Sequence, residues 1–222
     1  MKPTPDIDRA ASKAAETLIE YDITAAPVAP LPILKKIPNV FVVSYTEMAE
    51  QTGLGRDDML TMFGETNQDA CTFVQDIGGD LHYFVAYNQR LPFYILQRGL
   101  ARELGNIVLG HDGSLPEDVR LEEATFFARH LLCPRPLIRM LEESGIDLTL
   151  ETVGNLTGCY ERCMAGIRKT PGARVPAALN RKVRDQFSNY VHNFLNFHRI
   201  AGRFEDESAL ADFGSFMENY EE

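Results

Sequence analysis

The sequence predicts an α+β fold in which a small, mostly antiparallel sheet is followed by a helical C-terminal region. Three short runs rich in β-branched and aromatic residues lie at 40–45, 70–75 and 81–87, whereas apolar residues at helical spacing dominate the rest of the chain. Gly78 and Gly79 separate the second and third runs and suit a hairpin turn. These two strands are therefore expected to pair antiparallel.

Composition limits the classes of protein that this chain can represent. With 222 residues, of which 45% are hydrophobic, the chain can bury a full core. The formal charge of −10 argues against direct nucleic-acid binding, which favours clustered Lys and Arg. The N-terminus shows no apolar leader, and no run approaches the roughly 20 apolar residues of a membrane span. We expect a cytoplasmic protein without a membrane partner.

The first third of the chain predicts a helix, a proline-rich connection and a strand. Alanines and apolar residues at 6–20 recur at helical spacing. Four prolines between residues 27 and 38 then interrupt regular structure, apart from a short helical turn at 31–37. The elements expected next are a strand at 40–45 and short helices at 47–52 and 56–63.

The centre of the chain predicts an amphipathic helix at 94–110. Its apolar residues gather on one broad face, while Arg98, Arg102 and Asn106 form a stripe at i, i+4 spacing on the other. Glu103 lies at the edge of that stripe. A core helix does not need such residues, so the stripe is expected to face water or a cleft.

Helices are also expected at 117–132, 137–144 and 182–197. Residues 145–171 superficially suggest a helix-turn-helix, but they carry no dense basic face, and DNA binding by this segment is not expected. The four cysteines include no CxxC pair and are expected to be reduced and packed as small hydrophobic residues.

Two motifs carry a resemblance to a known family. The run ARELGN at 101–106 resembles the active-site helix of the ImmA/IrrE zinc metallopeptidases, which reads AHELGH. The run EATFFARHLLCP at 123–134 resembles their second signature, EANxFAxxLLMP. The strand at 81–87 resembles the strand along whose edge such peptidases bind substrate backbone. The resemblance covers roughly residues 10–170 and implies a zincin-like metallopeptidase domain.

The same motifs indicate that the family's metal site is degenerate here. In the family, two His of an HExxH motif and the Glu of the second signature bind zinc, and the Glu between the histidines activates water. Glu103 retains the general-base position and Glu123 the third ligand position, but Arg102 and Asn106 replace the histidines. A guanidinium has no lone pair to give, and it repels a dication. We therefore expect no zinc or other cofactor.

The resemblance leaves two functions open. The first is a catalytically inactive pseudopeptidase that binds a regulatory protein, such as a helix-turn-helix repressor of a phage or mobile element. The alternative is an active metal-dependent peptidase whose metal site is rearranged around other residues. Arg98, His111 and His130 are the cleft residues that we expect beside the vestigial ligand positions.

The two motif helices are expected to pack so that Arg102, Glu103, Asn106 and Glu123 converge in one cleft. Without a metal, the two carboxylates would face each other and raise each other's pKa. We expect the Arg102 guanidinium to take the metal's place and to pair with Glu123, while Asn106 donates a further hydrogen bond.

Four segments are expected along the chain. They are an N-terminal helix with its proline-rich connection at 1–38, a metallopeptidase-like domain at 39–136, a helical region at 137–202 and an acidic tail at 203–222.

Overall fold

A computed structural model describes residues 3–53, 55, 58, 69–111, 114–146, 149–157 and 172–204. For 150–152, 155 and 198–204 it describes the backbone alone. Four predicted features lie wholly or mostly outside the described residues. They are the helix at 56–63, the cysteines Cys159 and Cys163, the segment that suggests a helix-turn-helix, and the acidic tail.

Three strands form one mixed sheet in the order β1-β3-β2, with β1 at Val40–Ser44, β2 at Ala70–Ile77 and β3 at Asp80–Tyr87. As predicted, β2 and β3 form an antiparallel hairpin, and its two turn glycines have φ values of 69° and 95°. The β1 strand pairs with β3 in parallel, so the sheet is mixed, and the predicted antiparallel pairing holds for β2 with β3. No tight turn joins β1 to β3, and nothing local therefore imposes an antiparallel direction on them.

The β3 strand lies at the centre of the sheet, with β1 on one side and β2 on the other. The resemblance gave this strand the role of the edge that binds substrate backbone, and that assignment is wrong because both of its edges are occupied. Among the described residues, the open edges belong to β1 and β2. The outer part of β2, at 73–77, is exposed along its whole length.

Helices cover the sheet and continue beyond it. Where predicted helices fall on described residues, the structure confirms them: the helix at 117–132 has the predicted ends, the others are shifted at one or both ends, and the last one is longer than predicted. Along the described chain they are α1 (Ile7–Glu20), α2 (Pro30–Leu34), α3 (Tyr45–Thr52), α4 (Phe93–Val108), α5 (Glu117–Leu132), α6 (Arg135–Glu143), α7 (Leu150–Thr157) and α8 (Ala177–Phe204).

The main core lies where α1, α4 and α5 pack on one another and on the inner face of the sheet. Leu104 of α4 and Phe127 of α5 are both fully buried there. Gly105 permits the close contact between these helices, because a Cβ at this position would lie 2.9 Å from the Phe127 ring. This contact brings the two motifs together, since α4 carries the first and α5 the second.

The α+β class with a small sheet is confirmed, whereas the zincin-like topology and the four segment boundaries stay predictions. Within the described ranges, no helix combines the length and apolarity that a bilayer crossing requires.

Candidate functional site

Glu103, the residue that retains the general-base position, lies buried on the inner side of α4. Burial deprives its carboxylate of water and raises the pKa of Glu103, and the nearby Asp69 adds to the rise. The Thr72 hydroxyl of β2, the Arg102 guanidinium and the Asn106 amide act in the opposite direction without cancelling it. The Asn106 side-chain amide donates a hydrogen bond of 3.3 Å to the Glu103 carboxylate.

His111 lies between Asn106 and Glu123, two of the three positions that the resemblance assigns to zinc ligands. Its Nδ1 atom is 3.0 Å from Oδ1 of Asn106, and its Nε2 atom is 2.9 Å from Oε2 of Glu123. The side chains of His111 and Glu123 are only 1% and 4% exposed. Because the Asn106 amide nitrogen donates to Glu103, its oxygen faces the ring. The His111 ring therefore links Asn106 to Glu123. We call Glu103, Asn106, His111 and Glu123 the His111 cluster.

The end of α4 explains why His111 reaches this position. Gly110 follows the last helical turn with φ of 66°, and its N–H donates to the carbonyl of Ile107. The N–H of His111 donates 2.9 Å to the carbonyl of Asn106. These two bonds are the pair that defines a Schellman motif, which folds the chain back over the helix end. His111 therefore does not continue the helix, and its side chain returns to the residue that starts the turn.

Arg102 does not take the metal's place. Its Nη2 atom donates 2.9 Å to Oδ1 of Asp69, the residue before β2, and Glu123 pairs with His111 instead. The predicted pair between Arg102 and Glu123 is therefore wrong, as is its predicted support from Asn106, whose amide donates to Glu103. Glu103, Asn106 and Glu123 do converge in one hydrogen-bonded cluster, but the Arg102 guanidinium is directed to the neighbouring strand.

Asp69 was not identified from the sequence. Its side chain is 8% exposed, and Arg98 approaches its second oxygen at 3.6 Å. Gly99 makes room for the carboxylate, because a Cβ at Gly99 would lie 3.0 Å from the Asp69 side chain. The signal available in the sequence was the spacing Arg98-Gly99-x-x-Arg102. It places two guanidinium groups one helical turn apart, with a glycine beside them that leaves room for a partner.

The N-terminal helix encloses the other side of the cluster. The backbone N–H of Asp6 donates 2.8 Å to Oε1 of Glu123, so both carboxylate oxygens of Glu123 accept hydrogen bonds. Arg9 donates 2.7 Å to the carbonyl of Leu109 and caps the end of α4. These bonds hold the start of α1 against Glu123 and the C-terminal end of α4.

His130 lies apart from the cluster, so its predicted place in the cleft is wrong. It is seven residues after Glu123 on the same helix, which separates the two by about 10 Å along the axis. Its ring stacks on Phe126 with centroids 6.4 Å apart. Burial, with smaller effects of Arg135 and Arg129, lowers the pKa of His130 to about 4. The imidazole is therefore neutral at pH 7.

The described residues do not fit the zinc site that the resemblance implies. No group of three or more His, Cys, Asp or Glu side chains in this part of the chain has the arrangement to hold a metal ion. The Arg102 guanidinium offers no lone pair, and the carboxylate of Glu123 already accepts two hydrogen bonds.

Comparison of the chain with known protein families, with curated proteins and with solved structures finds no match. The resemblance to the ImmA/IrrE metallopeptidases therefore stays a prediction based on the two motifs.

Proposed function

We propose that this chain is a non-catalytic protein with a metallopeptidase-like fold that binds a regulatory protein, such as a helix-turn-helix repressor of a phage or mobile element. The observation that carries the proposal is the His111 cluster. The His111 imidazole ring and the Asn106 amide fill the region between Glu103 and Glu123 with hydrogen bonds, where a peptidase would need a metal with an open coordination position.

The buried charges also support a role without catalysis. A water-activating glutamate needs access to the metal-bound water and to substrate, whereas Glu103 is enclosed beside Thr72 and bonded by Asn106. Glu123 is bonded on both oxygens. Neither carboxylate is therefore available to a metal unless the surrounding bonds break.

A protein partner is supported by the edge of the sheet next to this cluster. In the described part of the chain no strand pairs with the outer edge of β2, and Val74 and Ile77 on this strand are 40% and 47% exposed. An extended segment of a partner can add to such an edge through backbone hydrogen bonds, with apolar side chains giving specificity. We infer that β2, and not β3, is the strand that a partner would meet.

The metal test separates this function from an active peptidase with a rearranged site. Purified protein should carry no stoichiometric zinc by elemental analysis, and added zinc should not change its melting temperature. A metal present at a free concentration of 100 times its Kd would stabilise the protein by about 2.7 kcal/mol, which a thermal melt detects easily. One zinc per chain, together with zinc-dependent cleavage of a repressor, would favour the active peptidase instead.

A repair experiment tests the descent of the site from a metal centre. Arg102→His with Asn106→His restores the two missing ligands, but the Glu123 carboxylate is still engaged in its hydrogen bond with His111. We therefore expect tight zinc binding only when His111→Ala is added, and no zinc binding by the His111→Ala variant alone. A triple variant that folds but binds no zinc would contradict the family assignment of these positions.

The partner test uses the helix-turn-helix repressors encoded beside the gene. A complex should appear by size-exclusion chromatography, with the repressor still intact after incubation. Val74→Lys with Ile77→Lys places two charges on the β2 edge and should abolish the complex. The matched control is Leu121→Lys on α5, an equally exposed apolar residue at 53%. Equal loss with the control, or no complex with any such repressor, would refute the proposal.

A further inference from the structure

A cavity of about 440 Å³ lies between α1, the start of α6 and the start of α8, apart from the His111 cluster. One wall is apolar and is built largely from the small residues of α1. The volume is within the usual range for sites that bind small organic molecules. The apolar wall residues are Ala11, Ala15, Leu18, Pro134, Val175 and Val183.

The opposite wall and rim of the cavity are unusually basic for a chain with a formal charge of −10. Five arginines line it, and Arg184 is the member that pairs with a carboxylate, that of Glu143. Among the described residues, no carboxylate lies within ion-pair distance of the other four. Asp8 is the other acidic residue nearby, and it accepts from the backbone N–H of Arg174 at 2.7 Å. The four arginines without an ion pair are Arg135, Arg139, Arg174 and Arg181.

The Arg135 guanidinium lies against the backbone at Gly172. A Cβ at Gly172 would overlap Nη1 of Arg135, so the absence of a side chain there leaves space for the guanidinium. Arg135 is also the first residue of α6, which begins without a side-chain cap. The positive end of this helix therefore adds to the charge of the arginines.

Arg135 is half-buried and the other four arginines are exposed at the rim, and like charges clustered in this way repel one another and attract anions. A single carboxylate would leave most of this charge unbalanced, whereas a phosphate monoester carries up to two negative charges and several acceptor oxygens for guanidinium groups. His130 also lines the cavity and, being neutral at pH 7, can add a hydrogen bond without adding charge.

We propose that this cavity, which we call the basic cavity, binds a small organic phosphate whose phosphate group contacts Arg135 and Arg181 and whose apolar or aromatic part packs on α1. The site is independent of the proposed pseudopeptidase function. It joins the N-terminal helix to α6 and α8, so an occupied cavity holds together three segments that are distant in the sequence.

The test is calorimetric titration of the full chain with phenyl phosphate and with inorganic phosphate at low ionic strength. Phenyl phosphate should bind more tightly, because only this probe reaches the apolar wall. At ten times its Kd it should raise the melting temperature by about 3–6 °C. Arg135→Gln and Arg181→Gln should each weaken it about tenfold or more, which is the loss expected for a charge-assisted hydrogen bond. Arg181 is exposed, so that variant keeps the fold even if Arg135→Gln does not.

The matched control is Lys182→Gln, which removes the same charge from the adjacent, exposed position of α8 but does not line the cavity. It should leave the affinity within about twofold. A direct readout is the pKa of His130 by NMR, which bound phosphate should raise, since the anion offsets Arg135 and Arg129.

Three results would overturn the proposal. They are no binding of phenyl phosphate at millimolar concentration, equal losses with Lys182→Gln and Arg181→Gln, or an unchanged His130 pKa in the saturated protein. Binding to vesicles that contain phosphatidic acid without any binding of phenyl phosphate would likewise refute a small-molecule site and indicate a lipid headgroup as the source of the phosphate.

Discussion

The His111 cluster and the basic cavity differ in whether their polar and charged groups have partners within the protein. In the cluster, polar groups are buried together, and the His111 ring lies between an amide and a carboxylate. In the basic cavity, five positively charged arginines line the same space as apolar residues. The contrast suggests that the cluster is internally complete and contributes to stability, whereas the cavity gains from an added anion. Each prediction below alters one of these two regions.

The largest effect is expected from Glu123→Ala. The substitution removes the acceptor of the Asp6 backbone N–H and the partner of His111 Nε2, and it leaves both buried groups without that hydrogen bond. Leaving a buried polar group unsatisfied costs about 1–3 kcal/mol, so the two together should cost about 2–6 kcal/mol of unfolding free energy, measurable by urea denaturation. The adjacent Glu122 is exposed, and Glu122→Ala should stay within about 0.5 kcal/mol. Equal losses for the two variants would contradict a complete cluster.

His130 should make the protein sensitive to acid. Its pKa in the folded protein is lowered by burial to about 4 from the ordinary histidine value of 6.5, so the unfolded chain takes up the proton first. Stability is therefore full above pH 6.5 and falls between pH 6.5 and 4, by about 3 kcal/mol over the whole window. His130→Gln should remove most of this slope in denaturation series at several pH values.

The exposed His192 provides the control for that slope. His192→Gln should leave the acid dependence as it is in the natural sequence. An unchanged slope in the His130→Gln variant would show that the acid sensitivity arises elsewhere.

Arg102→Ala should have a smaller effect than loss of Glu123. Asp69 would keep the hydrogen bond from the Ala70 backbone N–H at 3.1 Å and the contact with Arg98 at 3.6 Å, and the expected loss is about 1.5–3 kcal/mol, typical of a hydrogen bond to a charged group. Arg98→Ala is the comparison, since Arg98 is 48% exposed against 18% for Arg102. It should cost less than about 1 kcal/mol. The reverse order of the two losses would be incompatible with the contacts described.

Glu103→Gln should give a small gain in stability at pH 7. The pKa of Glu103 is raised in the folded state, so the folded protein favours the neutral acid. Stability therefore falls as the pH rises from about 4.5 through the folded pKa, and the neutral amide removes this loss. Chemical denaturation at pH 5 and pH 8 checks the sign. Destabilisation at pH 8 would imply that the ionised carboxylate is needed.

The smallest effect is expected from Arg181→Gln in the absence of any anion. Relief of repulsion within the basic cavity should stabilise the protein by at most about 0.5 kcal/mol at low salt, and the gain should disappear at 0.5 M salt. Lys182→Gln should show a smaller change. Destabilisation by Arg181→Gln at low salt would indicate that the cavity carries no net repulsion.

Much of the fold was predictable because its signals are local. The hairpin follows from Gly78-Gly79, and α4 and α5 follow from apolar spacing. The parallel pairing of β1 with β3 depends on which strands meet after the intervening chain has folded, and no short sequence window contains that information.

The candidate site was predictable in its residues but not in its pairings. Glu103, Asn106 and Glu123 do meet, as their motif positions imply. The hydrogen bonds of His111 with Asn106 and Glu123 depend on Gly110 ending the helix, and neither motif contains that information. Asp69 escaped notice because it precedes a strand at a position distant from both motifs, and only the three-dimensional contact with Arg102 gives it a role.

The long-range contacts of α1 have a consequence for biosynthesis. Asp6, Asp8 and Leu18 bond to Glu123, Arg174 and Gln186, which are 117, 166 and 168 residues away. Translation at about 5–20 residues per second separates Asp6 from Glu123 by roughly 6–23 s. During this time the apolar stripe of α1 has left the ribosome before its partners exist, so nascent chains should bind chaperones through this helix until α5 has emerged.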